Sequence, residues 1–217
     1  MKVLITCFAL SLMADSLPQS ANAGDIGEAA RTDFFKPAIQ SDFPFQKGTK
    51  EVHLLDGIFV SWEFSSVRRP SFDYELTCLR VGYMLTNVKY SGWLRGNYEF
   101  LLEGFVGPFY QGQGTALGGL TFQGRYNFVQ PNARLIPYFQ IGAGGLYNDA
   151  YHHTNQIEIG SGLEFNLQST LGLSYLLTGN WALSAEFGYR HISDAETSTR
   201  NAGVNSLGGL LGLSYFF

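Results

Sequence analysis

The sequence predicts an all-β protein, an eight-stranded antiparallel transmembrane β-barrel, on three observations. From Glu51 onward apolar and polar residues alternate with a period of two, the period of a strand with one greasy face. Charged residues form 15% of the chain and aromatics another 15%, a balance with too little charge to coat an ordinary soluble globule. Beyond the N-terminus no run reaches the roughly 18 uninterrupted apolar residues of a spanning helix, which leaves a closed barrel as the way across a membrane. A soluble lipocalin-like barrel is the structural alternative, but it would bury its large residues and display charge.

The N-terminus reads as a secretory signal over residues 1–23. Lys2 gives the basic start, residues 3–14 the apolar run, and Ala21-Asn22-Ala23 the small-residue cleavage site before Gly24. Cys7 falls in that signal, so Cys78 remains alone and an internal disulfide is excluded. Residues 24–50 are polar with scattered Phe and Pro and read as an N-terminal extension, lying in the periplasm or plugging one end. The barrel domain is expected over residues 51–217. A net charge of −4 without clustered Lys and Arg argues against a nucleic-acid partner.

The first strand carries Val52, Leu54, Ile58, Val60, Trp62 and Phe64 on one face, interrupted by Asp56, and Glu51, His53, Ser61 and Glu63 on the other. Arg68, Arg69 and Pro70 break it, and a second strand runs from about Phe72 to Leu85. The third puts Tyr98, Phe100, Leu102 and Val106 against Asn97, Glu99 and Glu103; the fourth sets Leu120, Phe122, Tyr126 and Phe128 against Thr121, Gln123, Arg125 and Asn127. Glu99, Glu103 and Arg125 therefore share an interior, where they read as structural lumen pairs, because small barrels fill their interiors with side chains. The fifth strand alternates Pro137, Phe139, Ile141, Ala143 and Tyr147 with Tyr138 and Gln140.

A polar loop follows with His152 and His153. Consecutive strand residues point to opposite faces and no further ligand lies nearby, so no metal site is assigned. The sixth strand shows the longest alternation, with Ile157, Ile159, Leu163, Phe165, Leu167, Leu171, Leu173 and Tyr175 outward; Glu158, Glu164 and Asn166 are among those facing inward. Its length suggests that it projects past the bilayer. After Thr178-Gly179-Asn180 the seventh strand presents Trp181, Leu183, Ala185, Phe187 and Tyr189 outward, with Ser184, Glu186 and Arg190 inward. The eighth, from about Ser206, presents Leu207, Leu211, Leu213, Tyr215 and Phe217.

Both ends of an even-stranded barrel fall on one side, the periplasmic one for bacterial proteins of this kind, and residues 191–205 then lie at the extracellular rim. The segment Tyr189-Arg190-His191-Ile192-Ser193-Asp194-Ala195 with Arg200-Asn201-Ala202-Gly203-Val204-Asn205-Ser206 crowds a base, a nucleophile and amides together. By parity His191 and Ser193 face lipid beside Trp181 and Phe187. A polar pair there is costly without partners or a use, since an unsatisfied buried polar group loses a few kcal/mol. The plain alternative is a pair of rim residues bathed by headgroups.

His191-x-Ser193-Asp194-Ala195 followed by Asn201-x-Gly203-x-Asn205 before a final strand ending in Tyr215-Phe216-Phe217 resembles the C-terminal motif of the lipid A 3-O-deacylases of the PagL type, an acyloxyacyl hydrolase family. These are eight-stranded barrels of the bacterial outer membrane that remove an ester-linked acyl chain from lipopolysaccharide. The resemblance implies His191 as base, Ser193 as nucleophile, Asn201 as oxyanion donor and Gly203 as the point of close backbone approach. It implies lipid A of the outer leaflet and membrane lipids as partners and no cofactor. Where the type members orient the His with an acid, this chain has Asn205, and Asp194 stands where they commonly have Asn. Asn205 orients the imidazole in this reading, as Asn does in Cys-His-Asn proteases, with Asp194 and Glu196 as alternative sources of charge. An inactive member, a non-catalytic surface barrel with a structural or adhesion role, and a small pore are the rivals. The charged lumen of Glu99, Glu103, Arg125, Glu164 and Glu186 argues against the pore. A monomer is the default, since a barrel wall needs only lipid.

Overall fold

Eight antiparallel strands follow one another around a closed barrel in the computed structural model, which describes residues 42–62 and 71–217. They are β1 (Lys50–Ser61), β2 (Asp73–Met84), β3 (Asn97–Gln111), β4 (Ala116–Asn127), β5 (Leu135–Asn148), β6 (Leu163–Leu176), β7 (Trp181–Ser193) and β8 (Val204–Phe216). The expected signal at residues 1–23, the extension as far as residue 41, and Glu63, Phe64, Arg68, Arg69 and Pro70 lie outside the described residues. Each strand exceeds the roughly 9–11 residues that a tilted spanning strand needs.

Period-two sorting decides the two faces. Outward stand Leu54, Ile58, Leu79, Phe100, Phe122, Ile141, Leu167, Leu171, Phe187 and Leu211, an apolar wall that only lipid could cover at no cost. Tyr98, Tyr126, Trp181 and Tyr215 ring that wall at the end where β1 begins, and Trp62, Tyr110 and Tyr147 stand at the opposite end. Asp56, the expected interruption of the β1 face, accepts a hydrogen bond from the Thr77 hydroxyl of β2 at 2.7 Å.

Inward, the lumen is packed in three tiers. An apolar cluster containing Leu55, Phe59, Tyr74, Phe105, Leu117, Ile192 and Val204 fills the end to which β7 delivers residue 193. A second, of Phe45, Met84, Val129, Ile136, Leu176, Ala182 and Phe216, fills the other. Phe45, which precedes β1, packs within that second cluster. Between them runs a charged belt: Arg80 reaches Glu103 at 2.6 Å and Glu186 at 2.5 Å, Arg125 reaches Glu51 at 2.9 Å and Glu99 at 3.3 Å, and Arg190 reaches Glu103 at 2.7 Å. Arg80 is 1% exposed, so the belt is a filling and not a water path.

The sixth strand is shorter than its alternation predicts. β6 starts at Leu163, and Ile159, expected on the lipid face, is buried in the apolar cluster. Gln156 diverts the chain: its Nε2 donates to the carbonyls of Ile159 (2.6 Å) and His153 (3.0 Å), and its Oε1 accepts the Ile159 N–H at 2.8 Å. Those bonds close a loop upon itself where a ladder would have continued. Connections of different length occur at both ends: residues 177–180 turn tightly, whereas 85–96 at the same end contains a 3-10 turn, Gly92–Leu94, and 112–115 at the opposite end is brief.

Candidate active site

β7 carries Tyr189, His191 and Ser193 on its outer face because they are two residues apart, while Arg190 and Ile192 between them point into the lumen. In the β7–β8 ladder His191 lies directly opposite Asn205. His191 Nδ1 is 2.8 Å from Asn205 Oδ1, and the Tyr189 hydroxyl donates to the same oxygen at 2.6 Å. The Asn205 backbone is fixed as well, its carbonyl accepting the Trp62 N–H at 2.6 Å. An amide oxygen only accepts, so the hydrogen of that bond belongs to Nδ1. A neutral imidazole protonated there keeps its lone pair on Nε2, the arrangement of a general base.

Ser193 is the last residue of β7 and is half-buried beside its β6 ladder partner Phe165. Among the described residues no hydrogen bond joins its hydroxyl to His191. Outward residues two apart on a strand are about 6.5–7 Å from Cα to Cα, a span that an imidazole and a hydroxymethyl group can close between them. Gly203 faces both. A Cβ on it would lie 3.1 Å from His191 Cε1 and 3.7 Å from Ser193 Cβ, and its φ of +73° suits glycine.

The connection 194–203 is tied down by several hydrogen bonds. Asn201 Oδ1 accepts the Asp194 N–H at 3.0 Å, which turns its Nδ2 away from that bond and leaves it free to donate elsewhere. Ala202 and Gly203 donate their N–H groups to the carbonyls of Ile157 (2.9 Å) and Glu158 (3.0 Å). Arg200 donates to the carbonyls of Tyr151 and His153, both at 2.9 Å, and of Gln156 at 3.3 Å. The diverted loop 149–162 therefore acts as a buttress for the segment carrying Asn201 and Gly203. Asp149 ties in the neighbouring connection: burial pushes its carboxyl up, but hydrogen bonds from the Thr115 hydroxyl and N–H and the Ala116 N–H outweigh this and hold it below the usual carboxylate range.

Among the described residues neither Asp194 nor Glu196 is hydrogen-bonded to His191. Asp194 is buried and accepts a hydrogen bond from the Ser198 hydroxyl, while Glu196 is exposed in a turn with positive φ. His152 stacks on Tyr151 with ring centroids 4.0 Å apart, and the described residues contain no group of three His, Cys, Asp or Glu side chains able to hold a metal. Sequence reasoning placed Tyr189 only among the lipid-facing aromatics. Its shared face with His191 was the available signal, but the hydroxyl's partner depends on strand register. Arg200 gave no signal, because its acceptors are backbone carbonyls of a distant loop.

Past Phe165 the outer wall opens into an apolar groove of about 560 Å³. Gly145 has no side chain to fill the space between its ladder partners Leu120 and Phe165, and Leu163, Tyr147 and Phe122 complete the sides.

The sequence profile of the family "Lipid A 3-O-deacylase (PagL)" matches residues 79–214, more than half of the chain. No curated protein sequence matches it. Among solved structures the barrel is similar to the outer membrane enzyme PagL, with 17% identity and a TM-score of 0.51 over 75% of this chain and 97% of that one. It is similar also to Neisserial surface protein A, with 16% identity and a TM-score of 0.55 over 79% of this chain and 100% of that one. At these identities the two likenesses describe the fold alone.

Proposed function

We propose that this chain, which belongs to the lipid A 3-O-deacylase (PagL) family, is an outer-membrane serine esterase that removes an ester-linked acyl chain from lipid A of lipopolysaccharide. The observation that carries the reading is the His191–Asn205 bond at 2.8 Å on the lipid-facing wall, two residues from Ser193. Residues 1–23 direct the chain out of the cytoplasm in this reading, and residues 191–205 stand at the extracellular rim, level with the outer leaflet. The barrel acts as a monomer.

Ser193 Oγ attacks the ester carbonyl carbon while His191 Nε2 takes its proton. The charge that develops on the carbonyl oxygen is met by Asn201 Nδ2, aimed by the Asp194 N–H that holds the other end of the amide. Collapse breaks the bond to the sugar oxygen, which leaves with the proton from the imidazolium. Water, deprotonated in turn by His191, then hydrolyses the acyl-Ser193 ester and releases a fatty acid. Asn205 holds the ring through Nδ1 throughout, and the groove beside Phe165 receives the acyl chain.

A second reading, a non-catalytic surface barrel, is favoured by one observation, that Ser193 and His191 share no hydrogen bond. Mass spectrometry of lipid A from cells producing the chain or its Ser193→Ala variant at equal membrane levels separates the two. Deacylation should remove one acyl mass with the native chain only, and the variant should lose on the order of 10⁴-fold or more in rate. Identical lipid A in both strains, with both barrels folded, would favour the surface barrel.

A further inference from the structure

We infer that Tyr189 is a positioning residue that holds the Asn205 amide in the one orientation that leaves His191 able to act as a base. The inference rests on the deacylase reading for its catalytic meaning, but its geometry stands apart from it. The imidazole's partner is the amide of Asn205, which brings a difficulty that a carboxylate would not have. Both oxygens of a carboxylate accept. An amide has one accepting and one donating end, and a half-turn about its last bond exchanges them. With the donating end toward His191, Nδ1 would have to accept, the ring hydrogen would move to Nε2, and the base toward Ser193 would be lost.

Tyr189 opposes that half-turn. Its hydroxyl lies 2.6 Å from Asn205 Oδ1, on the same oxygen that meets His191 Nδ1 at 2.8 Å. The phenol sits on the lipid-facing wall, where water is scarce and an O–H needs a partner. Were the amide reversed, the phenol would lose its acceptor and both Nδ2 and Nδ1 would have to re-pair. Two donors converging on one acceptor therefore select the orientation, and one of them is the ring itself. The backbone bond from Trp62 to the Asn205 carbonyl prevents the residue from escaping by shifting along the ladder. Tyr189 thus performs with a neutral group what a negative charge on Asn205 would perform by itself.

The test uses the full-length barrel refolded in detergent micelles, as native chain, Tyr189→Phe, Asn205→Asp and the double variant. Two readouts are taken: deacylation of purified lipopolysaccharide, and the ¹⁵N shifts of the His191 ring, assigned by comparison with His191→Ala. Tyr189→Phe should lower kcat by about tenfold, the effect of one lost hydrogen bond of ordinary strength, with KM little changed. It should also move His191 from the Nδ1–H tautomer to a mixture. In the Asn205→Asp background the same substitution should cost less than about twofold, because a carboxylate has no wrong end. An equal loss in both backgrounds, or a native tautomer in Tyr189→Phe, would overturn the inference. A folded native chain that deacylates nothing, yet shows the tautomer shift in Tyr189→Phe, would remove the deacylase reading and retain Tyr189 as the residue that orients the pair. Absence of both would remove both.

Discussion

The barrel holds polar groups away from water in two places and treats them differently. In the lumen, charges meet opposite charges: Arg80 lies against Glu103 and Glu186, and Arg125 against Glu51. On the outer wall the partners are neutral. His191 meets an amide, that amide meets a phenol, and the carboxylate of Asp56 meets a hydroxyl. The lumen can bring donors from several strands onto one acceptor, whereas the wall offers only neighbours on the same or the adjoining strand. Charge is stabilised where the barrel surrounds it, and the candidate site lies where the barrel exposes it.

The comparison breaks most visibly at Arg80. Arg80→Met leaves Glu103 and Glu186 short of a cation and should destabilise the barrel by about 3–5 kcal/mol, read from urea unfolding in lipid vesicles. Adding Glu186→Gln should recover part of that loss. On the wall Thr77→Val removes the donor from Asp56 and should cost about 1–3 kcal/mol by the same measurement, with deacylation unchanged. The smallest shift sharpens the contrast: Asn205→Asp puts a charge on the wall near its rim, where such changes cost about 0–1 kcal/mol. Stability should barely move in that variant, by the same urea measurement.

Alternation made the wall and the lumen readable in advance, since each strand sorts its own residues without reference to any other. Glu99, Glu103 and Arg125 were assigned to a common interior on that ground alone, and all three are buried there, Arg125 against Glu99 and Glu103 against Arg80 and Arg190. Alternation misled at Gln156-Ile157-Glu158-Ile159, which has a strand's period and forms a loop. The decision there belongs to a side-chain amide that captures loop carbonyls and to Arg200, forty-odd residues away in the chain. The pairing of His191 with Asn205 came from the family motif, and only the ladder register puts the two side by side. Tyr189 looked like one more aromatic of the wall because a periodicity records direction and not hydrogen bonds.

β8 is the strand that closes the barrel. It pairs with β7 along one edge and with β1 along the other, and the backbones of Lys50 and Phe217 exchange hydrogen bonds of 2.9 and 3.0 Å at the foot of the seam. Asn205 and Gly203 arrive with this strand and its leading turn, and Trp62, at the far end of β1, anchors Asn205. A chain that has not yet closed its seam therefore lacks the Trp62 bond that anchors Asn205. In the proposed function, the partner of the base is fully anchored only once the barrel has closed.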